Sequence, residues 1–246
     1  MKRKSGYNPT AIKNNNRKRS FISGVWRFFY MFILYGFIFS ILYTVLCKWV
    51  NPPITITEIT SLITGHGLKR HYQSIDHISS NMKLAVLCGE DQLFTDHNGF
   101  DFESLQKALK HNRKSKSLRG ASTISQQTAK NVFLWQHGGY FRKALEVYFT
   151  FLIEKIWGKK RILEVYLNVA EMGDGIFGAD AAAHRYFNKT AAGLSAKEAA
   201  MIAAGLPNPK EYTIIPLSRR VASRSQWILQ QMTNLEGDSD IQELIN

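Results

Sequence analysis

The chain has 246 residues, of which 32 are Lys or Arg and 19 are Asp or Glu, for a formal net charge of +13. That length holds one or two domains, and an apolar content of 45% supplies a real core, which excludes global disorder. Two cysteines, Cys47 and Cys88, exclude a disulfide scaffold and a zinc site built mainly from thiolates.

Residues 1–24 read as a basic tail carrying Lys2, Arg3, Lys4, Lys13, Arg17, Lys18 and Arg19, and the first acid of the chain is Glu58. Phe28 to Cys47 then runs without a charge, long enough as a helix to cross about 30 Å of hydrocarbon. Trp26 and Trp49 stand where interfacial aromatics belong, and no A-x-A cleavage site follows. Residues 25–48 therefore read as an uncleaved single-pass helix. The positive-inside rule leaves the tail in the cytoplasm and everything after Lys48 outside. Without the tail and Arg27, 24 basic residues face 19 acids, a net +5, so much of the basicity serves topology and nucleic acid is not the expected partner. In an exported domain Cys88, within the apolar run LAVLC, reads as a buried small hydrophobe.

Asn51-Pro52-Pro53 opens a spacer over 49–69, and a compact helical domain is expected over 70–235 with a tail over 236–246. Ser79-Ser80 precede an apolar helix through Leu84, Leu87 and Cys88. Asp101 caps FESLQKALK, residues 112–121 form a basic loop, and Ser122 or Thr123 caps ISQQTAKNVF. A long helix follows with Leu145, Phe149, Leu152 and Ile156 on one face and Gly158 as its stop. Ser195 to Glu198 is a capping box, and a last helix runs from about Ser218 towards Gly237. No strand alternation is visible. Gly173, Gly175 and Gly178 spell G-x-G-x-x-G without a βαβ pattern around them, which does not support a nucleotide fold.

The interval 104–145 contains no acid and nine bases: Lys107, Lys110, Arg113, Lys114, Lys116, Arg119, Lys130, Arg142 and Lys143. Glu90, Asp91, Asp96 and Asp101 precede it and Glu146 follows. With Phe133, Trp135, Tyr140 and Phe141 interleaved and a membrane helix upstream, it suits a lipid-linked anionic substrate. Two separated carboxylates with cations between them suit base-assisted attack against an anionic leaving group. Arg142 and Glu146 also have the spacing of a plain surface pair worth about 0.3–0.5 kcal/mol.

Residues 90–101, EDQLFTDHNGFD, resemble the first motif of family 51 peptidoglycan glycosyltransferases. GASTISQQ at 120–127 with Lys130-Asn131 is similar to the second, Arg142-Lys143-Ala144-Leu145-Glu146 to the third, and Lys159 to Asn168, KKRILEVYLN, to the fourth. The resemblance covers roughly 70–235, leaves no room for a transpeptidase domain, and so points to a monofunctional member. It implies a mainly α, lysozyme-like glycosyltransferase domain with a small membrane-proximal jaw, on the outer side of the inner membrane. It implies inverting transfer of a polyprenyl-pyrophosphate-linked glycan to the 4-hydroxyl of lipid II. Glu90 is then the general base and Glu146 the second catalytic carboxylate, orienting cations or a metal. Lys130 and Arg142 would hold the pyrophosphate. Ser122, Thr123, Gln126, Gln127, Lys143, Asp91, Phe94 and His97 complete the implied substrate-binding set. No second His stands at ligand spacing from His97, so it reads as a structural hydrogen-bonding residue rather than a metal ligand, and Glu164 and Asn168 read as braces. No cofactor is obligatory in this reading, with Mg²⁺ or Mn²⁺ as an alternative partner at Glu146. Protein partners would belong to cell division or wall synthesis. Gly138-Gly139 departs from the Arg-Ser common in relatives and removes one cation from the phosphate site. A lytic glycan-cleaving enzyme on the same fold and a non-catalytic lipid II or divisome-binding protein are the alternatives.

Overall fold

The computed structural model describes residues 9–115, 120–136 and 138–246, with side chains from Trp26 onward. Lys116 and Arg119 of the basic loop lie outside the described residues, as do Lys2, Arg3 and Lys4 and the side chains of Lys13, Arg17, Lys18 and Arg19. The chain divides into two units, Met1–Leu46 and Cys47–Asn246. In the first, α1 (Pro9–Leu46) contains a 21-residue stretch, Trp26–Leu46, long and apolar enough to span a bilayer, and protein buries almost none of it. The helix ends two residues before the expected 48.

The second unit is mainly helical. Two segments read as connectors carry structure of their own. In the spacer, α2 (Ile56–Ile63) starts at a capping box in which Glu58 accepts from the Thr55 amide at 2.7 Å. Glu58 is fully buried and also accepts from Arg70, whose guanidinium donates to the Pro52 and Pro53 carbonyls. This ion pair folds the Pro-rich stretch back on the domain. At the other end, α11 (Ser239–Ile245) buries Ile241, Leu244 and Ile245, so the expected tail closes with a packed turn of core residues.

The caps set the other helix starts. Ser79 begins α3 (Ser80–Glu90), Asp101 begins α4 (Phe102–Lys114), Thr123 begins α5 (Ile124–Phe133), Ser195 begins α9 (Ala196–Gly205) and Ser218 begins α10 (Arg219–Leu235). Thr123, not Ser122, is the cap of α5, and Gln126 closes its capping box. The basic loop starts later than expected, because Asn112, Arg113 and Lys114 extend α4. Between these lie α6 (Tyr140–Ile156), α7 (Lys159–Val169) and α8 (Ala179–Phe187). In α9, Ala199, Ala200, Ala203 and Ala204 are fully buried, and such small side chains let α3 and α10 close on it. Helix α5 packs on α6 and α7, and α7 is buried from Ile162 to Val169 except at the half-exposed Glu164.

The buried line on α6 is Glu146, Thr150 and Ile153, continuing to Trp157, while Leu145, Phe149, Leu152 and Ile156 flank it half-buried. The expected apolar face is thus rotated by about one residue, because a carboxylate lies at its centre with two cations to satisfy it. Cys88 is buried, and burial pushes its thiol up to about 12, which leaves it inert near neutral pH.

A small sheet of order β1-β3-β2 was not visible in the sequence: β1 (Lys69–Arg70) runs parallel to β3 (Ile176–Phe177), and β2 (Glu171–Gly173) runs antiparallel to it. Strands of two and three residues are too short to show alternation. The three glycines of G-x-G-x-x-G lie at the end of β2, in the β2–β3 turn and before α8, with no βαβ unit. Gly175 has φ +66°, and a Cβ there would stand 2.0 Å from the His66 carbonyl oxygen.

Candidate active site

Glu90 is the last residue of α3, a position set by the Ser79 cap at one end and Asp91 at the other. Its Oε2 accepts from Gln127 Nε2 at 2.9 Å and its Oε1 from Arg224 Nη2 at 3.3 Å. Gln127 is oriented in turn by the buried Tyr166 hydroxyl, which donates to its Oε1 at 3.2 Å. Arg224 also donates to the Gly89 carbonyl at 2.7 Å. Burial raises the Glu90 carboxyl above the usual range, Gln127 and Arg224 pull it back, and the neighbouring Asp91 adds to the rise. A largely desolvated carboxylate held by two donors is a stronger base than an exposed one.

Asp91 faces inward. Its Oδ1 lies 2.9 Å from His97 Nε2 and its Oδ2 accepts from the Ile124 amide at 2.9 Å. The Gly99 amide donates to His97 Nδ1 at 3.1 Å, so in the neutral ring the proton sits on Nε2 and points to Asp91. The Thr123 hydroxyl donates to the Gly99 carbonyl at 2.7 Å. The bracket ties residues 91–99 to the start of α5, fixing Glu90 relative to Gln127 and Lys130. Gly99, with φ +86°, leaves no room for a Cβ, which would approach Thr150 Cγ2 to 2.8 Å. Phe94 is buried beneath the bracket with the Lys159 ammonium 4.5 Å above its ring.

On α6, Glu146 is nearly inaccessible, with its side chain 4% exposed. It accepts from Arg142 Nη1 at 2.7 Å and from Lys143 Nζ. The Arg142–Glu146 pair is therefore not a solvated surface pair. Arg142 Nε is buried without a hydrogen-bond partner. Lys130, near the end of α5, forms no ion pair with either carboxylate among the described residues. Burial lowers its ammonium pKa, Glu146 and Glu90 oppose that, and Arg142 and Lys143 reinforce it. One lysine thus lies in the fields of both carboxylates and of two further cations.

Among the remaining predicted residues, Ser122, Gln126 and Lys143 line a small recess with Phe100, Phe102 and Leu105. Asp91, Phe94, His97 and Thr123 are turned into the bracket. The fourth motif braces the domain. Lys159 donates to the His97 carbonyl at 2.6 Å, Glu164 accepts from Arg161 at 2.5 Å, and Asn168 exchanges hydrogen bonds with the Gln73 backbone. Arg224 and Tyr166 were missed as partners of the site. Arg224 lies outside the four motifs, and only the charge of a basic helix near the C-terminus could have flagged it.

The residues around Glu146 form no multidentate cage for a divalent cation. Both its oxygens are taken by cations, and Glu146 belongs to no group of three or more carboxylate, His or Cys ligands among the described residues.

A family model described as Transglycosylase matches residues 56–233. The chain is 46% identical over 211 residues to the biosynthetic peptidoglycan transglycosylase of Pseudomonas syringae pv. syringae (strain B728a), covering 83% of this chain and 89% of the relative. It is 47% identical over 211 residues to the protein of that name from Stutzerimonas stutzeri (strain A1501), covering 83% and 87%. It is 45% identical over 203 residues to that from Shewanella oneidensis, covering 81% and 87%. With a family match across most of the chain and relatives this similar over most of their length, the chain belongs to the transglycosylase family.

Proposed function

We propose that this transglycosylase polymerises lipid II into the glycan strands of peptidoglycan, with Glu90 and Lys130 as its central groups. Glu90 takes the proton from the acceptor 4-hydroxyl, and that oxygen bonds to the donor's anomeric carbon from the face opposite the pyrophosphate. The carbon–oxygen bond to pyrophosphate breaks, the anomer inverts, and the electron pair leaves with the phosphate. Lys130 and Arg142 hold the departing oxygens, one as a point charge and the other through its fork. Glu146 aims Arg142 and Lys143 at the pyrophosphate. The observation that supports this reading is a pair of buried carboxylates, Glu90 held by Gln127 and Arg224 and Glu146 held by Arg142 and Lys143, with Lys130 on the helix that carries Gln127. A hydrolase acting on finished glycan would have no leaving pyrophosphate for such a cluster to hold.

The apolar helix anchors the enzyme in the cytoplasmic membrane, with the basic tail inside and the catalytic unit on the outer side. Exposed Phe102, Leu105 and Leu109 on α4, with Tyr140 and Phe141 at the start of α6, supply the membrane-proximal jaw. The purified protein is tested with labelled lipid II. A polymer that a muramidase digests is expected; release of fragments from purified wall without polymer would assign the lytic reaction instead.

A further inference from the structure

Three side chains that the transfer reaction does not use converge on one point beside α8. Asp180 lies in the first turn of α8 and is buried, 3% exposed. Its Oδ1 accepts from the Ala191 amide at 2.8 Å, which locks the carboxylate and leaves Oδ2 for other partners. His184 lies one turn further along the same helix, and its Nε2 stands 3.4 Å from Oδ2. His71, just after β1, brings Nδ1 to 3.7 Å from the same oxygen. The three ligand atoms lie within 4.8 Å of one another, and the imidazoles meet edge to face with centroids 5.6 Å apart.

The two separations from Asp180 Oδ2, 3.4 and 3.7 Å, are long for hydrogen bonds between imidazole and carboxylate, and the exposed His71 ring turns to close the third. They are close to the edge of a coordination tetrahedron, where bonds of about 2.0–2.1 Å place ligand atoms about 3.4 Å apart. We propose that His71, Asp180 and His184 form a binding site for one divalent transition-metal ion, with Zn²⁺ the best fit. Two imidazoles and one carboxylate suit a borderline ion, whereas Mg²⁺ and Ca²⁺ call for oxygen ligands throughout. The histidine side chains are 61% and 44% exposed, so the ion enters from solvent and keeps a position for water. The Ala191 amide acts as the outer partner that holds the carboxylate in its ligating orientation. His71 follows the short parallel strand β1, and the other two ligands belong to α8. The ion therefore staples the chain leaving β1 to the helical body, a stabilising role separate from glycosyl transfer.

The test uses full-length protein in detergent, purified without a histidine tag and stripped with a chelator. Titration with ZnCl₂ is expected to show one tightly bound equivalent, and saturating zinc to raise the unfolding midpoint by about 5 °C or more. MgCl₂ is expected to give no such rise. Loss of an outer partner costs about 10–100-fold in metal affinity, so removing two ligands in the double variant His71→Ala, His184→Ala should weaken zinc by at least about 100-fold. Both histidines are exposed, so this variant folds and polymerises lipid II as the native chain does without zinc. Asp180→Asn keeps the acceptor for Ala191 and should also lose affinity. Native-like zinc binding by the double variant, or no zinc-dependent rise in the native protein, would overturn the site.

Discussion

Removing the Arg224 guanidinium tests how Glu90 is held as a base. Arg224 reaches Glu90 Oε1 at 3.3 Å and is 31% exposed, a long and partly solvated contact. Hydrogen bonds to charged groups contribute about 1.5–3 kcal/mol, and this geometry belongs at the low end, about 1.5 kcal/mol or roughly tenfold. Burial already raises the Glu90 carboxyl, and Arg224 is one of the two residues opposing it. Arg224→Gln therefore raises that pKa further. A general base works ionised, so activity is lost first at low pH. The acidic limb of the kcat/KM profile should move to higher pH, with kcat/KM on that limb down about tenfold and recovery at higher pH. The assay is polymerisation of labelled lipid II across a pH series, with thermal unfolding run alongside because the Gly89 carbonyl also loses its donor. A uniform fall at every pH would make Arg224 a structural residue, and an acidic limb moving to lower pH would refute the reasoning.

Glu90→Gln keeps the shape and removes the base, so polymerisation should fall by about 10²–10⁴ with little change in unfolding midpoint; near-normal turnover would place the base elsewhere. Pyrophosphate gains negative charge as it departs, so Lys130→Ala should cost about 10²–10³ in kcat, with Lys130→Arg recovering part of it. Lys114→Ala, at the end of α4, should leave kcat unchanged in the same steady-state comparison. Asp91→Asn cannot accept from both His97 and the Ile124 amide, so it should destabilise the fold by about 1.5–3 kcal/mol, read as a fall in melting temperature. A reporter fused after Asn246 should be active only outside the cytoplasm, and activity inside would reverse the topology.

Much of this protein was legible locally. A cap and the amide it satisfies lie three residues apart, so Ser79, Asp101, Ser195 and Ser218 announce their helices from neighbouring sequence alone. The charge-free run from Phe28 to Cys47 needs no tertiary partner to declare its length, and the acid-free interval between Glu103 and Glu146 marks where an anion would be held. Motif order brought Glu90, Lys130, Arg142 and Glu146 into one hypothesis. What stayed hidden depends on contacts between distant residues. Arg224 meets Glu90 across 134 positions, and Tyr166 orients Gln127 across 39. The sheet was invisible because strands this short acquire their partners only when β1 is brought beside β3. The bracket of Asp91 and His97 was not visible either, since Asp91 reaches the Ile124 amide across 33 positions. The buried face of α6 was displaced from its apolar stripe because Glu146, already paired with Arg142 and Lys143 on its own helix, is turned inward where α5 packs against α6. Sequence thus determined the elements and the kinds of chemistry available, while tertiary structure decided which charges meet, because desolvation and pairing arise only when distant segments close on one another.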